Sequence, residues 1–283
     1  MALLDDFGLL SDKEAFLANL GMDPNGLTNK SNHQLIQMEV LESLAMDEFG
    51  LLMMVHPLAF AVKVNNEDTP TYFQAMNGPQ CLGFLEAMNI KMQQLEEKNP
   101  WDTIPIEQVP EGANILDSTW AFKRKRFLDG RVRKLKARLC VQGDQQIEGV
   151  DFFDTYAPIV AWSTVRLLLI LSVMMGLVTK QVDYTLAFIQ SDLNEDIYIR
   201  MATGFKRPGH VYKLKKSLYG LQQSPLNFFQ HLKEGLKARG FVQSQYDPCL
   251  FISNSVICLC YVDDCLFFAK DGRNIDDMIE SLR

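Results

Sequence analysis

The stretch SVICLCYVDDCLFFAK (255–270) places Asp263 and Asp264 between two apolar segments. Both flanks, VICLCYV and CLFFA, are short and apolar, as expected of buried strands. Two adjacent carboxylates in such surroundings repel each other and are costly to desolvate. The stretch therefore predicts a β-hairpin with the acidic pair at its tip, neutralised by a cation. The alternative interpretation is a solvated turn between two core strands.

A second acid in an apolar setting is Asp183, within LVTKQVDYTLAFI (177–189). The residues before it predict a strand, and those after it a turn or short helix. A site for two Mg²⁺ ions needs oxygen ligands from separate strand ends, so we expect Asp183 to converge with Asp263 and Asp264. Successive strand residues point to opposite faces, so one acid of the pair would reach a given ion directly and the other would support it.

The segments TWAFKRKRF and RVRKLKARLCVQ flank Asp129-Gly130, a two-residue turn signal. Nine basic residues and one acid lie between Lys123 and Arg138. The pattern predicts a β-hairpin over 118–142 that projects over the carboxylates and contacts phosphate. The alternative is a solvated strand face.

The remaining periodicity indicates further helices and strands. Helices are predicted at 34–49, 80–98, 164–176 and 224–239, and strands at 197–201, 210–216 and 249–253. Because strands and helices do not alternate strictly, the order favours an α+β fold with an antiparallel sheet over a doubly wound parallel fold.

Composition excludes wholesale disorder, since 47% of the residues are apolar. The net charge of −7 conceals an asymmetry. Residues 1–116 hold 5 Lys and 17 acidic side chains, net −12, whereas residues 117–283 hold 23 basic and 18 acidic side chains, net +5. The six cysteines form no C-x-x-C pair, and Cys258 and Cys260 suit one strand face, so they are interpreted as reduced, buried thiols. The acidic N-terminus does not fit a secretion signal.

Five separate motifs resemble those of copia-type retrotransposon reverse transcriptases, in the same order, over residues 67–283. YVDD resembles their catalytic hairpin, and VDYTLAF the strand that carries their first aspartate. The other three are TYFQAM…FLEAMNIKMQQLEEKNPWDTIP (71–105), KARLCVQGDQQIEGVDFFDTYAPIVAWSTVRLLL (136–169) and KLKKSLYGLQQSPLNFF (213–229).

The resemblance implies the fingers and palm of a right-hand polymerase, with an antiparallel palm sheet backed by helices. The chain is expected to be truncated at its C-terminus, without a thumb. Residues 1–66 would be an unassigned N-terminal extension and 67–115 a helix-containing segment leading into the polymerase domain. Residues 116–283 would be incomplete fingers and palm.

The resemblance also implies site residues. The metal ligands would be Asp183, Asp263, Asp264 and the backbone carbonyl of Tyr184. Phe188 would be the aromatic gate that excludes a 2′-hydroxyl. The nucleotide and template floor would be lined by Tyr219, Gly220 and Gln223, and the triphosphate held by Lys136 and Arg138. The sequence departs from the family pattern at Gln142, Gln222 and Leu226, each standing where a base is usual.

The activity implied is RNA-directed DNA polymerisation, a two-metal nucleotidyl transfer onto a primer 3′-hydroxyl with two Mg²⁺ ions, or Mn²⁺ in their place. Partners would be an RNA or DNA template with its primer, dNTPs and other parts of the retrotransposon polyprotein, with no membrane. Template phosphates would meet the bases of 123–138 and 213–216. The location implied is the cytoplasm or virus-like particles. One alternative is a degenerate, non-catalytic remnant that retains nucleic-acid or protein contacts, and another is a different two-metal enzyme such as a nuclease.

Overall fold

A computed structural model describes residues 68–282. The predicted helix at 34–49 and the extension 1–66 lie outside the described residues. The described chain is α+β, with five α-helices and three β-sheets. It divides into two compact units built from interleaved segments: residues 68–157 with 184–232, and residues 158–183 with 233–282. The predicted boundary at 115/116 lies within the first of these units.

The unit of residues 158–183 and 233–282 is built on one antiparallel sheet. Its strands are β5 (Val178–Asp183), β8 (Val242–Gln243), β9 (Leu250–Ile252), β10 (Ile257–Tyr261) and β11 (Asp264–Ala269), in the order β5-β11-β10-β9-β8. Its helices are α3 (Trp162–Met174), α5 (Gly272–Ser281) and the last turns of α4 (Ser224–Lys237). Phe251, Phe267 and Phe268 are fully buried in this unit. The antiparallel sheet expected from the sequence is therefore present.

The unit of residues 68–157 and 184–232 contains two sheets. The first has the order β1-β7-β6-β2, formed by β1 (Trp101–Pro105), β2 (Ile115–Leu116), β6 (Tyr198–Arg200) and β7 (His210–Leu214). The β2–β6 pair is parallel. The second sheet is the hairpin β3 (Ser118–Arg126) and β4 (Val132–Val141). The helices are α1 (Tyr72–Asn77), α2 (Cys81–Glu96) and the first turns of α4.

Local sequence explains where several of these elements begin and end. Thr71 and Gln74 form a reciprocal capping box at the start of α1. Asn99, with φ +49°, ends the turn after α2 in the left-handed conformation that asparagine tolerates, directly before Pro100. The helices predicted at 80–98, 164–176 and 224–239 are confirmed within a few residues. Among the described residues, no helix is long and apolar enough to cross a membrane.

The hairpin predicted over 118–142 is also confirmed, but its two-residue turn is not. The backbone N–H of Phe127 donates to Arg131 O, and that of Gly130 donates to Phe127 O, so Leu128, Asp129 and Gly130 form a three-residue connection. Gly130 has φ +83°. This is a type I turn closed by a left-handed glycine, an alternative to the two-residue turn that Asp-Gly also permits.

Candidate active site

Asp183 and Asp264 lie directly opposite each other at one end of the five-stranded sheet. Asp183 is the last residue of β5 and Asp264 the first of β11, and the register pairs them. Directly opposed residues share a face, with Cβ atoms about 4.5–5.5 Å apart. Asp263 is in the turn immediately before β11. The sheet thus brings all three predicted aspartates to the same end.

The turn that carries Asp263 is a strained one. Tyr261 pairs with Asp264 in the β10–β11 ladder, which leaves Val262 and Asp263 as a two-residue loop. Val262 has φ +55°, whereas Asp263 is not among the positive-φ residues, the pattern of a type II′ turn. A β-branched residue is costly in this conformation and persists where the surrounding ladder enforces it. The strain lies next to the carboxylates, where functional sites commonly store it.

Gln181 is a supporting residue that the sequence did not reveal. It lies two positions before Asp183 and so on the same face of β5. Its side-chain Nε2 donates to Asp264 Oδ1 at 3.1 Å. This bond restricts the orientation of the carboxylate that faces Asp183, as a residue behind a metal ligand does.

The carboxylates offer the hard oxygen donors that Mg²⁺ and Mn²⁺ prefer. Asp183 is exposed, and Asp263 and Asp264 are half-buried, so solvent and ions reach this end of the sheet. Among residues 68–282, the only three ligand-type side chains whose donor atoms all lie within 4.8 Å of one another are three thiols, not these acids. Asp183 and Asp264 therefore share a face, Asp263 lies at the same end of the sheet, and the roles of all three as ligands stay predictions.

The β3–β4 hairpin presents one apolar and one basic face, as the alternating pattern predicts. Trp120, Phe122, Ala137 and Leu139 are buried on the apolar face. The opposite face carries five bases: Lys123, Lys125, Lys134, Lys136 and Arg138, here called the basic face. In the register, Lys123 opposes Lys136, and Lys125 opposes Lys134.

Directly opposed like charges destabilise a β-ladder. The basic face therefore costs stability unless anions lie against it. The positive charge of the basic face also affects Lys91 of α2. Burial, and then repulsion from Lys136, Arg138 and Lys134, lowers the pKa of its ammonium group. Outside the basic face, Arg126 pairs with Asp68 at 2.7 Å and Arg131 with Asp129 at 2.7 Å.

The second predicted basic segment, 213–216, is balanced by nearby acids. Each of its three lysines is paired with an aspartate: Lys213 with Asp196, Lys215 with Asp102 and Lys216 with Asp192. Such exposed pairs contribute little to stability. They nevertheless cancel the local positive charge, so the basic face is the stronger candidate for phosphate contact.

Three residues of the predicted nucleotide site contact one another in series. The Arg138 guanidinium carbon lies 5.7 Å from the centroid of the Tyr219 ring, within cation–π range. The Tyr219 ring lies 4.4 Å from that of Phe188. Phe188 is 7% exposed and also packs edge-on against Phe228. Its burial agrees with a packing role, and the gate role implied by the resemblance stays a prediction.

Gly220 permits a close backbone approach to the end of β4. It has φ +99°, and a Cβ placed there would lie 2.0 Å from Val141 O. A Cβ on Gly143 would lie 2.0 Å from Gly220 O. The Val141 N–H donates to Tyr219 O at 2.7 Å across the same contact. Glycine is thus required on both segments, and this contact places Tyr219 beside Arg138.

Hydrogen bonds among three glutamines stabilise the loop next to the Gly220–Val141 contact, and the sequence did not predict them. Gln146 Oε1 accepts from the backbone N–H of Gln222, and Gln146 Nε2 donates to Gln223 Oε1. Gln223 is 2% exposed and donates to Asp151 O at 2.8 Å. Its amide is therefore engaged within the protein, which indicates that it positions this loop, and its contact with a nucleotide stays a prediction.

Tyr184 directly follows Asp183 in the chain and belongs to the other unit. Its ring packs edge-on against Phe228, with centroids 5.8 Å apart. The part that its carbonyl would take in metal binding stays a prediction. The same holds for the projection of the hairpin over the carboxylates.

Known proteins similar to this chain are reverse transcriptases and retrotransposon polyproteins. Residues 100–283 match the family described as reverse transcriptase (RNA-dependent DNA polymerase). The chain is 32% identical over 206 residues to the retrovirus-related Pol polyprotein from transposon TNT 1-94 of Nicotiana tabacum, covering 70% of the chain and 15% of that protein.

Two further relatives extend the comparison. The chain is 31% identical over 232 residues to the retrovirus-related Pol polyprotein from transposon RE1 of Arabidopsis thaliana, covering 79% of the chain and 16% of that protein. It is 31% identical over 208 residues to the transposon Ty1-GR3 Gag-Pol polyprotein of Saccharomyces cerevisiae, covering 71% and 11%. The chain thus spans about one-sixth or less of the length of these polyproteins.

Proposed function

Because this chain belongs to the reverse transcriptase family of copia-type retrotransposons, we propose that it forms part of an RNA-directed DNA polymerase. It extends a primer by two-metal nucleotidyl transfer. The observation that carries the proposal is the direct pairing of Asp183 with Asp264, with Asp263 in the adjoining strained turn. Such chemistry needs oxygen ligands that reach one metal site from the ends of separate strands.

The two units have separate parts in this proposal. The five-stranded antiparallel sheet of residues 158–183 and 233–282 serves as the palm, since it bears the carboxylates. The β3–β4 hairpin serves as the fingers, since it bears the basic face. Both assignments rest on the family resemblance and on the location of these residues in their own units.

Two Mg²⁺ ions, or Mn²⁺ in their place, would be held by Asp183, Asp263 and Asp264. When bound, such ions activate a primer 3′-hydroxyl and neutralise the phosphates of the incoming dNTP. The protein's own groups position and neutralise, as phosphoryl transfer requires. Gln181 holds the Asp264 carboxylate on the face it shares with Asp183.

The basic face is proposed to bind the phosphates of the template and of the dNTP. Lys136 and Arg138 are the candidates for the triphosphate, and the lysines toward the hairpin tip for the template strand. Because these contacts are made with phosphate, binding is sequence-independent and weakens as salt concentration rises. The other proposed partners are the remaining parts of the polyprotein.

Primer extension on an RNA template, with Mg²⁺ or Mn²⁺, tests the proposal. We expect extension by the wild-type chain and none by Asp183→Asn or Asp264→Asn, because each variant loses a charged oxygen ligand. Asp277→Asn is the matched control, since Asp277 is an exposed acid on α5 in the same unit. Strand cleavage in place of extension would identify a nuclease. Full extension by the two asparagine variants would exclude the carboxylate roles.

A second candidate function is a non-catalytic remnant that only binds nucleic acid. It is favoured by the hydrogen bonds of two glutamines, Gln142 and Gln222, which stand at positions where the family usually has a basic residue. Gln222 Nε2 donates to Gly143 O at 3.1 Å, and Gln142 Oε1 accepts from Gln145 at 2.8 Å. These side chains brace a loop where the family carries positive charge. Salt-sensitive oligonucleotide binding without extension in either ion would identify this function.

A further inference from the structure

Three of the six cysteines lie on the adjacent strands β10 and β11 of the five-stranded sheet, a fourth, Cys249, directly precedes β9, and all four are buried. Cys258 and Cys260 are two residues apart on β10 and share a face. Cys265 on β11 is the direct partner of Cys260. On the other side of β10, the Cys260 N–H donates to Cys249 O at 2.9 Å. The pairing therefore brings together cysteines from three consecutive segments of the chain.

Three of these sulfur atoms converge closely. The Sγ atoms of Cys258, Cys260 and Cys265 all lie within 4.8 Å of one another. Cys258 Sγ and Cys260 Sγ are 3.7 Å apart. In a tetrahedral thiolate site with a metal–sulfur bond of about 2.3 Å, adjacent sulfurs lie about 3.8 Å apart. The spacing thus already matches one edge of such a site.

We propose that Cys258, Cys260 and Cys265 bind a soft, thiophilic cation of the Zn²⁺, Cd²⁺ and Cu⁺ class. Thiolates select such ions over Mg²⁺, which requires oxygen ligands. Each thiol that binds the ion releases its proton to solvent. Burial alone would suit cysteine as a small apolar residue. Convergence of three sulfurs on a single point is the additional feature that a metal site explains.

This site is separate from the carboxylates. Asp264 and Cys265 are successive residues of β11, so their side chains point to opposite faces of the sheet. The three thiols are buried, with Cys258, Cys260 and Cys265 each at most 1% exposed, whereas Asp264 is half-buried. An ion held there would tie β10 to β11 behind the turn that carries Asp263. Its effect would be on the stability of that hairpin.

The test uses the full chain expressed with Cd²⁺ in the medium, so that the ion is present while the chain folds, and purified under reducing conditions. We expect one Cd²⁺ per chain, an ultraviolet thiolate-to-cadmium charge-transfer band and a melting temperature above that of the metal-free chain. Cys260→Ala and Cys265→Ala should each lose the band and the bound ion. Cys81→Ala with Cys140→Ala is the matched control, since both thiols belong to the other unit, and it should retain them.

If an alanine variant fails to fold, the measurements on the wild-type chain alone still decide whether the site binds metal. A wild-type protein with no bound Cd²⁺, no charge-transfer band and an unchanged melting temperature would overturn the proposal. So would a band that survives in folded Cys260→Ala and disappears in the Cys81 and Cys140 control. Because no readout involves polymerisation, the outcome is independent of the proposed function.

Discussion

Gly220 meets Val141 backbone to backbone, so closely that the smallest side chain at position 220 would lie 2.0 Å from the Val141 carbonyl oxygen. This contact joins the loop that carries Tyr219 to the end of β4, where Arg138 lies over the Tyr219 ring. The geometry of the basic and aromatic residues therefore depends on a residue without a side chain.

Replacing Gly220 by Ala should destabilise the unit of residues 68–157 and 184–232. The clash with a rigid backbone and the left-handed conformation together should cost about 2–5 kcal/mol. Gly112→Ala is the matched control, because Gly112 has φ +82° and nothing within 4 Å of the added carbon. It should cost only about 1–2 kcal/mol. Hydrogen exchange of this unit measures both values, and equal losses would mean that the contact is not tight.

Replacing Phe188 distinguishes a role in core packing from a role in excluding the 2′-hydroxyl of ribonucleotides. Its ring contacts Tyr219 and Phe228, so Phe188→Ala should lose about 3–5 kcal/mol of unfolding free energy. If Phe188 is also the gate, the ratio of rNTP to dNTP incorporation should rise in the variant. Phe73→Ala, at a residue 75% exposed, controls for loss of a ring without loss of packing. A parallel fall in both incorporation rates would leave packing as its only role.

Gln181→Met should weaken Mn²⁺ binding by about 10-fold, because residues behind metal ligands contribute about 10- to 100-fold to affinity. The reason is the lost bond to Asp264 Oδ1. Thr179→Val lies on the same face of β5, two residues further from the aspartates, and should leave affinity unchanged. Electron paramagnetic resonance of free Mn²⁺ gives both constants. Equal affinities in wild type and Gln181→Met would show that the bond does not orient the ligand.

Lys123→Gln with Lys136→Gln should change stability and binding in opposite directions. Removing a directly opposed pair of positive charges relieves repulsion in the hairpin, so its stability should rise. Loss of two phosphate contacts should lower the slope of log K against log salt by about 1.4 for a single strand.

Arg131→Gln with Arg273→Gln is the charge-matched control for that pair. Both arginines are bonded to an aspartate two residues away, Asp129 and Asp271. Oligonucleotide titrations at several salt concentrations should show no loss of slope in the control. A lowered slope in both double variants would mean that net charge, and not the basic face, governs binding.

The lowered pKa of Lys91 leads to a dependence of stability on pH. Burial and the nearby positive charges hold its pKa below the ordinary 10.5, so the native state binds fewer protons there than the unfolded state. Its charged form therefore costs stability at neutral pH, and that cost disappears as pH rises toward 10.5. Lys91→Met should melt at a higher temperature than wild type at pH 7.

The difference between Lys91→Met and wild type should shrink as the pH approaches 10.5. Lys98→Met, at an exposed lysine just beyond α2, should show no such dependence. Thermal unfolding at a series of pH values provides the measurement. A constant difference at all pH values would attribute the gain to the apolar methionine side chain and not to the charge.

The periodic elements were predictable from the sequence because their patterns are local. The apolar stripe of α2 and the alternating bases of β4 both have the spacing of their element. By contrast, α5 escaped prediction because its sequence, GRNIDDMIES, is mostly polar and buries only Ile275. The two-residue strand β2 also carries too few residues to show a period.

The candidate site was predictable as a set of residues but not as an arrangement. The acidic pair at 263–264 was recognisable, but its register was not. That Asp264, and not Asp263, opposes Asp183 depends on pairing between strands far apart in the chain. Cys265 joins Cys258 and Cys260 through the β10–β11 ladder, whose register fixes which of these nearby cysteines share a face. The glutamine network lies in irregular loops, where no periodicity reveals a partner.

The alternation along β11 makes the length of the turn at 262–263 as important as its composition. A shift of one residue in the pairing of a strand moves every side chain to the other face. In-frame loss or gain of a single codon at this turn would therefore direct Cys265 toward Asp183 and bury Asp264 among the sulfurs. A two-codon change restores the parity. Length variants of this gene at this turn should consequently tolerate even steps far better than odd ones.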